Sequence, residues 1–158
     1  MDMNARRALQ FFSILMIISI LVGACSGAPG SPSSTCNASN WSIDFNRSGG
    51  FAGMTRSMHL LSSGVLTASE PERSLDVRTQ ASADGLANIA QLLQETCPSL
   101  ATANSQPKGC PDCFYYSLQI EMGGQTFLAQ ATDVDMGNLG PLIRALNSLF
   151  DEATTGQP

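Results

Sequence analysis

A few residues in this chain have types and spacings that invite chemistry. Cys110-Pro111-Asp112-Cys113 sets two thiols three positions apart. That is the spacing of redox dithiols and of one half of a four-cysteine zinc site. His59 is the lone histidine, Ser48 is followed by two glycines, and Asp133 and Asp135 lie two apart. The surroundings weaken each in turn. Redox dithiols open a helix after a strand, whereas Phe114 onward reads as a strand. Cys36 and Cys97 offer no second close pair, so a zinc site lacks half its ligands. His59 has no His-Glu-x-x-His context and lies out of phase with Met58 and Leu60, on the solvated side of its strand. Ser48 lacks the Gly-x-Ser-x-Gly elbow, and its only conceivable base is the distant His59. The two aspartates lack the remaining ligands of a calcium loop. The expectation is a protein that is not an enzyme and uses no metal and no cofactor.

Besides Cys25, the cysteines are Cys36, Cys97, Cys110 and Cys113. An even set in an exported chain implies two disulfides, and three pairings are open. The favoured reading is a staple of the long Cys97 to Cys113 loop, a closure that typically stabilises by about 2–4 kcal/mol.

Arg47-Ser48-Gly49-Gly50-Phe51-Ala52-Gly53 carries the other signal. Three glycines within five residues permit backbone angles that other residues resist, and they let another chain approach. A simple reversal needs one or two. Phe51 is the only large apolar side chain of this loop.

Alternating strands must hold the loop. Trp41, Ile43 and Phe45 alternate with Ser42, Asp44 and Asn46 before it, and Met54 to Leu61 follows, with Arg56 breaking the apolar phase. Val65 to Thr67 reads as a short third strand, residues 69 to 80 as a loop with an edge strand at Leu75 to Arg78. Ser82 is the N-cap of a helix carrying Ala83, Leu86, Ile89, Ala90 and Leu93, which Cys97-Pro98 should end. Residues 98 to 112 read as a loop. Gly123-Gly124 predicts a two-residue hairpin turn in which Met122 faces Gln125, Ile120 faces Phe127, Leu118 faces Ala129 and Tyr116 faces Ala131. Leu139, Leu142, Ile143, Leu146, Leu149 and Phe150 follow helical spacing, with Asn138 as cap and Pro141 in the first turn. These elements predict an α+β domain: an antiparallel sheet built from two hairpins with two helices packed on one face.

The N-terminus reads as a targeting segment. Arg6 and Arg7 precede an apolar run from Leu9 to Val22, of signal-peptide length and short for a membrane span. Leu21-Val22-Gly23-Ala24-Cys25 resembles a bacterial lipobox, in which the cysteine is diacylated and becomes the mature N-terminus. An ordinary signal peptide cut at Ala24 or Ala28, or an uncleaved anchor, is the alternative. The resulting division is a signal peptide over 1–24, a Ser/Gly/Pro tether over 25–35, a single domain over 36–153 and a tail over 154–158. Ser26 after the cysteine places the lipoprotein at the outer face of the cell membrane or in the outer membrane. The mature chain carries 6 basic and 12 acidic residues, a net charge of −6. No basic cluster exists to contact phosphates, which excludes nucleic acid as a partner. A monomer is expected.

The segment from Trp41 to Met54 resembles the opening of the emfourin family, small inhibitors of thermolysin-like zinc metallopeptidases. That family opens with a strand, an Arg-x-Gly-Gly-x-x-Gly turn and a second strand. It closes with a tyrosine-bearing hairpin and a Leu-rich helix. Here Phe114-Tyr115-Tyr116 through Phe127 and Leu139 through Phe150 resemble those closing parts, and the similarity spans roughly residues 41 to 150. The resemblance implies a proteinaceous inhibitor whose Arg47–Gly53 loop enters the peptidase cleft. Phe51 would fill the pocket for the residue after the scissile bond, and Arg47 would meet acidic residues at the rim or stay solvated. The lipid anchor and the cysteines depart from that pattern, so the alternative is a surface lipoprotein that binds another ligand without inhibiting a protease.

Overall fold

A computed structural model describes residues 40–100 and 110–155, all within a compact unit spanning Pro32–Pro158. Cys25, Cys36, the apolar run and the tether lie outside the described residues. No helix among the described residues is long and apolar enough to cross a membrane.

Among the described residues the architecture is α+β: six antiparallel strands and two helices. The strands are β1 (Trp41–Gly49), β2 (Met54–Leu61), β3 (Val65–Glu70), β4 (Leu75–Gln80), β5 (Phe114–Met122) and β6 (Gln125–Thr132). Their order across the sheet is β4-β3-β2-β1-β5-β6. The first hairpin therefore continues into a four-strand meander, and β1 also pairs with β5, so that the second hairpin joins it edge to edge. The expected loop over residues 69–80 is mostly strand. β3 runs on to Glu70, a short 3-10 turn covers Pro71–Arg73, and Ser74 reverses the chain at φ 52°.

Period-two patterning produced these strands. Trp41, Ile43 and Phe45 on β1, Met58 and Leu60 on β2, Leu66 and Ala68 on β3, and Leu118 and Ile120 on β5 are buried in one cluster. The predicted register of the last hairpin holds: Met122 pairs with Gln125, Ile120 with Phe127, Leu118 with Ala129 and Tyr116 with Ala131. Phe45 and Tyr116 stack at 6.1 Å between ring centroids.

Helix α1 (Ala83–Leu100) starts where expected, since Ser82 Oγ accepts the Gly85 N–H at 3.2 Å. It does not stop at Cys97-Pro98. Cys97 and Leu100 are both buried in the core, and burying Leu100, worth about 1.5–3 kcal/mol, offsets much of what an internal proline costs. Helix α2 (Gly140–Thr154) buries Leu142, Ile143, Leu146, Leu149 and Phe150, with Pro141 in its first turn. Asn138 does not cap it. A 3-10 turn at Gly137–Leu139 precedes the helix, and Asn138 Nδ2 instead donates to Ser99 Oγ at 3.3 Å. Gly85 is a contact point between the helices, because a Cβ there would stand 2.6 Å from Leu149 Cδ2. The local cost of glycine in a helix thus permits close packing.

Cys113 is disulfide-bonded to Cys110, not across the long loop to Cys97. A tight turn brings the two Cα atoms to 5.4 Å, within the reach of a disulfide. Cys97 is itself disulfide-bonded.

Candidate functional site

The candidate site is the tip of the β1–β2 hairpin and the structure that fastens it. Gly49 pairs with Met54, which leaves Gly50, Phe51, Ala52 and Gly53 as the connecting turn, closed by the Gly53 N–H donating to the Gly50 carbonyl at 3.0 Å. Gly49 and Gly50 have φ of 104° and 71°, where a side chain is strained. Space excludes one as well. A Cβ on Gly49 would lie 2.5 Å from the Cys113 carbonyl oxygen, and one on Gly50 would lie 2.6 Å from the Phe114 ring.

Both stems of the hairpin are tied down. On the β1 side, the Gly50 N–H donates to the Cys113 carbonyl at 3.1 Å. The disulfide turn that presents this carbonyl is braced by the Tyr115 hydroxyl, which donates to the Cys110 carbonyl at 3.2 Å. On the β2 side, the Thr55 N–H donates to Glu72 Oε1 at 3.1 Å. Hydrogen bonds from its own backbone N–H and from Thr55 hold the Glu72 carboxyl below its ordinary pKa.

At the tip, Phe51 is 99% exposed. It does not fold back onto the sheet. An aromatic ring left wholly in water by a braced turn is available to another molecule.

Arg47 behaves otherwise. It belongs to β1 rather than the turn, and it is half-buried rather than solvated. Its guanidinium lies 3.7 Å from the Phe114 ring centroid, and Nη1 donates to Asn147 Oδ1 on α2 at 3.3 Å. Ser48 is exposed, opposite Thr55 and Tyr115. It is not brought to His59, which sits opposite Asp44 with Nδ1 2.7 Å from Asp44 Oδ1.

The Cys110 and Cys113 sulfurs and an Asp133 carboxylate oxygen lie within 4.8 Å of one another. Such a trio suits a soft metal when the thiols are free, but here both sulfurs are spent on the disulfide. A shallow cleft of about 570 Å³ lies at the other end of the sheet, between the β1 start and the Gly123-Gly124 turn, with Glu121 as the only charged residue lining it among the described residues.

Sequence reasoning missed Glu70. Its side chain is fully buried on β3, with Oε2 3.3 Å from Arg56 Nε and 3.6 Å from Arg73 Nη1. The signal was present: Arg56 and Glu70 interrupt the apolar phase of two strands that the register makes neighbours.

No protein-family model, no curated protein and no solved structure matches this chain.

Proposed function

We propose that this protein is an exported, membrane-anchored inhibitor of thermolysin-like zinc metallopeptidases. The hairpin tip would enter the active-site cleft of the enzyme, with the lipid on Cys25 as anchor. In this reading the two helices back one face of the sheet as a rigid support for the hairpin.

One observation carries the proposal. Phe51 stands wholly in solvent on a turn whose two stems are hydrogen-bonded to the disulfide turn and to Glu72. A braced tip loses little freedom on binding, so more of the interaction appears as affinity. The Phe51 and Ala52 N–H and C=O groups, which the turn's own hydrogen bonds do not use, would pair with a substrate-binding edge strand. Phe51 supplies the bulky apolar side chain for the pocket after the scissile bond. Arg47, packed against α2, supports the stem from behind, so the predicted contact narrows to residues 50–53.

Titration of a thermolysin-like peptidase with the mature protein tests this. Stoichiometric loss of activity, weakened by orders of magnitude in Phe51→Ala, is the expected result. Full activity at high excess across several such peptidases would leave the alternative, a surface lipoprotein for another ligand.

A further inference from the structure

Phe51 has company at its end of the sheet. Val134 is 69% exposed and Tyr115 is 39% exposed. Strand register brings all three to one rim. Gly49 is opposite Phe114, whose carbonyl accepts the Asp133 N–H at 3.2 Å, and Tyr115 is opposite Thr132. The hairpin tip, the Cys110–Cys113 turn and the turn after β6 are therefore three neighbouring projections. The Gly50 to Cys113 hydrogen bond joins the first two, and the Asp133 to Phe114 bond joins the third to the base of the second.

Among the described residues, the charged side chains on the three turns themselves are all carboxylates. Asp112 on the disulfide turn and Asp133 and Asp135 on the third turn are exposed, and none is in an ion pair among the described residues. The two arginines of the hairpin stems are turned inward, Arg47 onto Phe114 and Asn147 and Arg56 onto Glu70 and Asp151, while Arg144 on α2 is exposed beside Met136.

We infer that the three turns form a single docking surface for a protein cleft. That cleft has an apolar pocket for Phe51, an apolar lip for Val134, and Lys or Arg side chains facing Asp112, Asp133 and Asp135. Complementary charge sets partner choice and the rate of encounter, and apolar contacts at the centre hold the complex. The carboxylates repel phosphate-rich partners. This surface rests on the inhibitor reading and deepens it: the peptidase would be one with a basic rim beside its cleft, gripped at a second point by Val134.

The experiment measures inhibition of several thermolysin-like peptidases by the full chain in detergent micelles, at low and high salt. Val134→Ser and the triple Asp112→Asn/Asp133→Asn/Asp135→Asn variant are compared with the parent, with Val134→Thr in reserve should the serine variant melt early. About a tenfold weakening by each is expected, with the salt dependence flattened only in the triple variant. A parent that inhibits alongside variants that inhibit equally well would overturn the second contact and leave the hairpin reading standing. A parent that does not inhibit at high excess would overturn the inhibitor reading and this surface with it.

Discussion

Arg47 and Arg56 stand directly opposite each other on β1 and β2, two like charges on neighbouring strands. Such a pair repels unless each guanidinium is separately satisfied. They diverge. Arg47 crosses Phe114 to Asn147, while Arg56 reaches Glu70 and Asp151 with the Phe150 ring centroid 5.0 Å away. Together they close the apolar core just beneath the hairpin.

Arg56→Met should therefore destabilise strongly. It leaves the fully buried Glu70 carboxylate with only Arg73 at 3.6 Å, and breaking a buried pair costs about 3–5 kcal/mol. Urea unfolding should show the loss, and the double variant Arg56→Met/Glu70→Leu should recover most of it. A single variant as stable as the parent would show that the pair does not hold this end of the core.

Gly49→Ala should cost more than Gly53→Ala. Both positions have positive φ, which strains a side chain by about 1–2 kcal/mol. Only Gly49 adds an overlap, with the Cys113 carbonyl, whereas nothing lies within 4 Å of a Cβ at Gly53. Thermal unfolding of the two variants decides the order.

Removing the disulfide with Cys110→Ser/Cys113→Ser should loosen the hairpin before the core. The Gly50 amide relies on the Cys113 carbonyl, and hydrogen exchange at Gly50 should accelerate while Ile143 in α2 stays protected. Equal acceleration at both would mean that the turn supports the whole domain.

Tyr116 ties stability to alkaline pH. Burial pushes its phenol above its ordinary pKa of 10.0, against the nearby Arg47 charge. The folded state thus holds the proton more tightly than the unfolded chain does. That contribution is complete below pH 10 and is lost as pH rises through the folded value. Tyr116→Phe should flatten the decline of unfolding free energy above pH 10, as measured by urea titration at successive pH values.

Phe51→Ala should leave the unfolding free energy, measured by urea titration, within about 0.5 kcal/mol of the parent, because the ring contacts water alone. A larger loss would mean that the ring packs against the fold.

The apolar periodicities made both helices and the outer hairpin legible, since Leu142 to Phe150 and Leu118 to Ile120 obey one period each. What escaped was polar and non-local. Glu70 looked like the edge of a loop because its partner Arg56 lies on the next strand, and only the register joins them. Arg47 looked like part of the loop because nothing local reveals Asn147, a hundred residues away. Pro98 looked like a stop because its cost is local while the burial of Leu100 is tertiary. The tip glycines were legible as a special turn. Their fastening by Cys113 and Glu72 was not, because it depends on which strands neighbour the hairpin.

The interior position of β1 has one more consequence. Its residues are hydrogen-bonded to β2 on one side and to β5 on the other along the whole strand. A peptidase that cut the tip at Phe51 would release neither half. The new ends at Gly50 and Phe51 would stay side by side, held by ladders that the cut does not touch. Such a nick would be a reversible event within one folded body, and an enzyme that made it would be left holding an uncleared product that can be resealed.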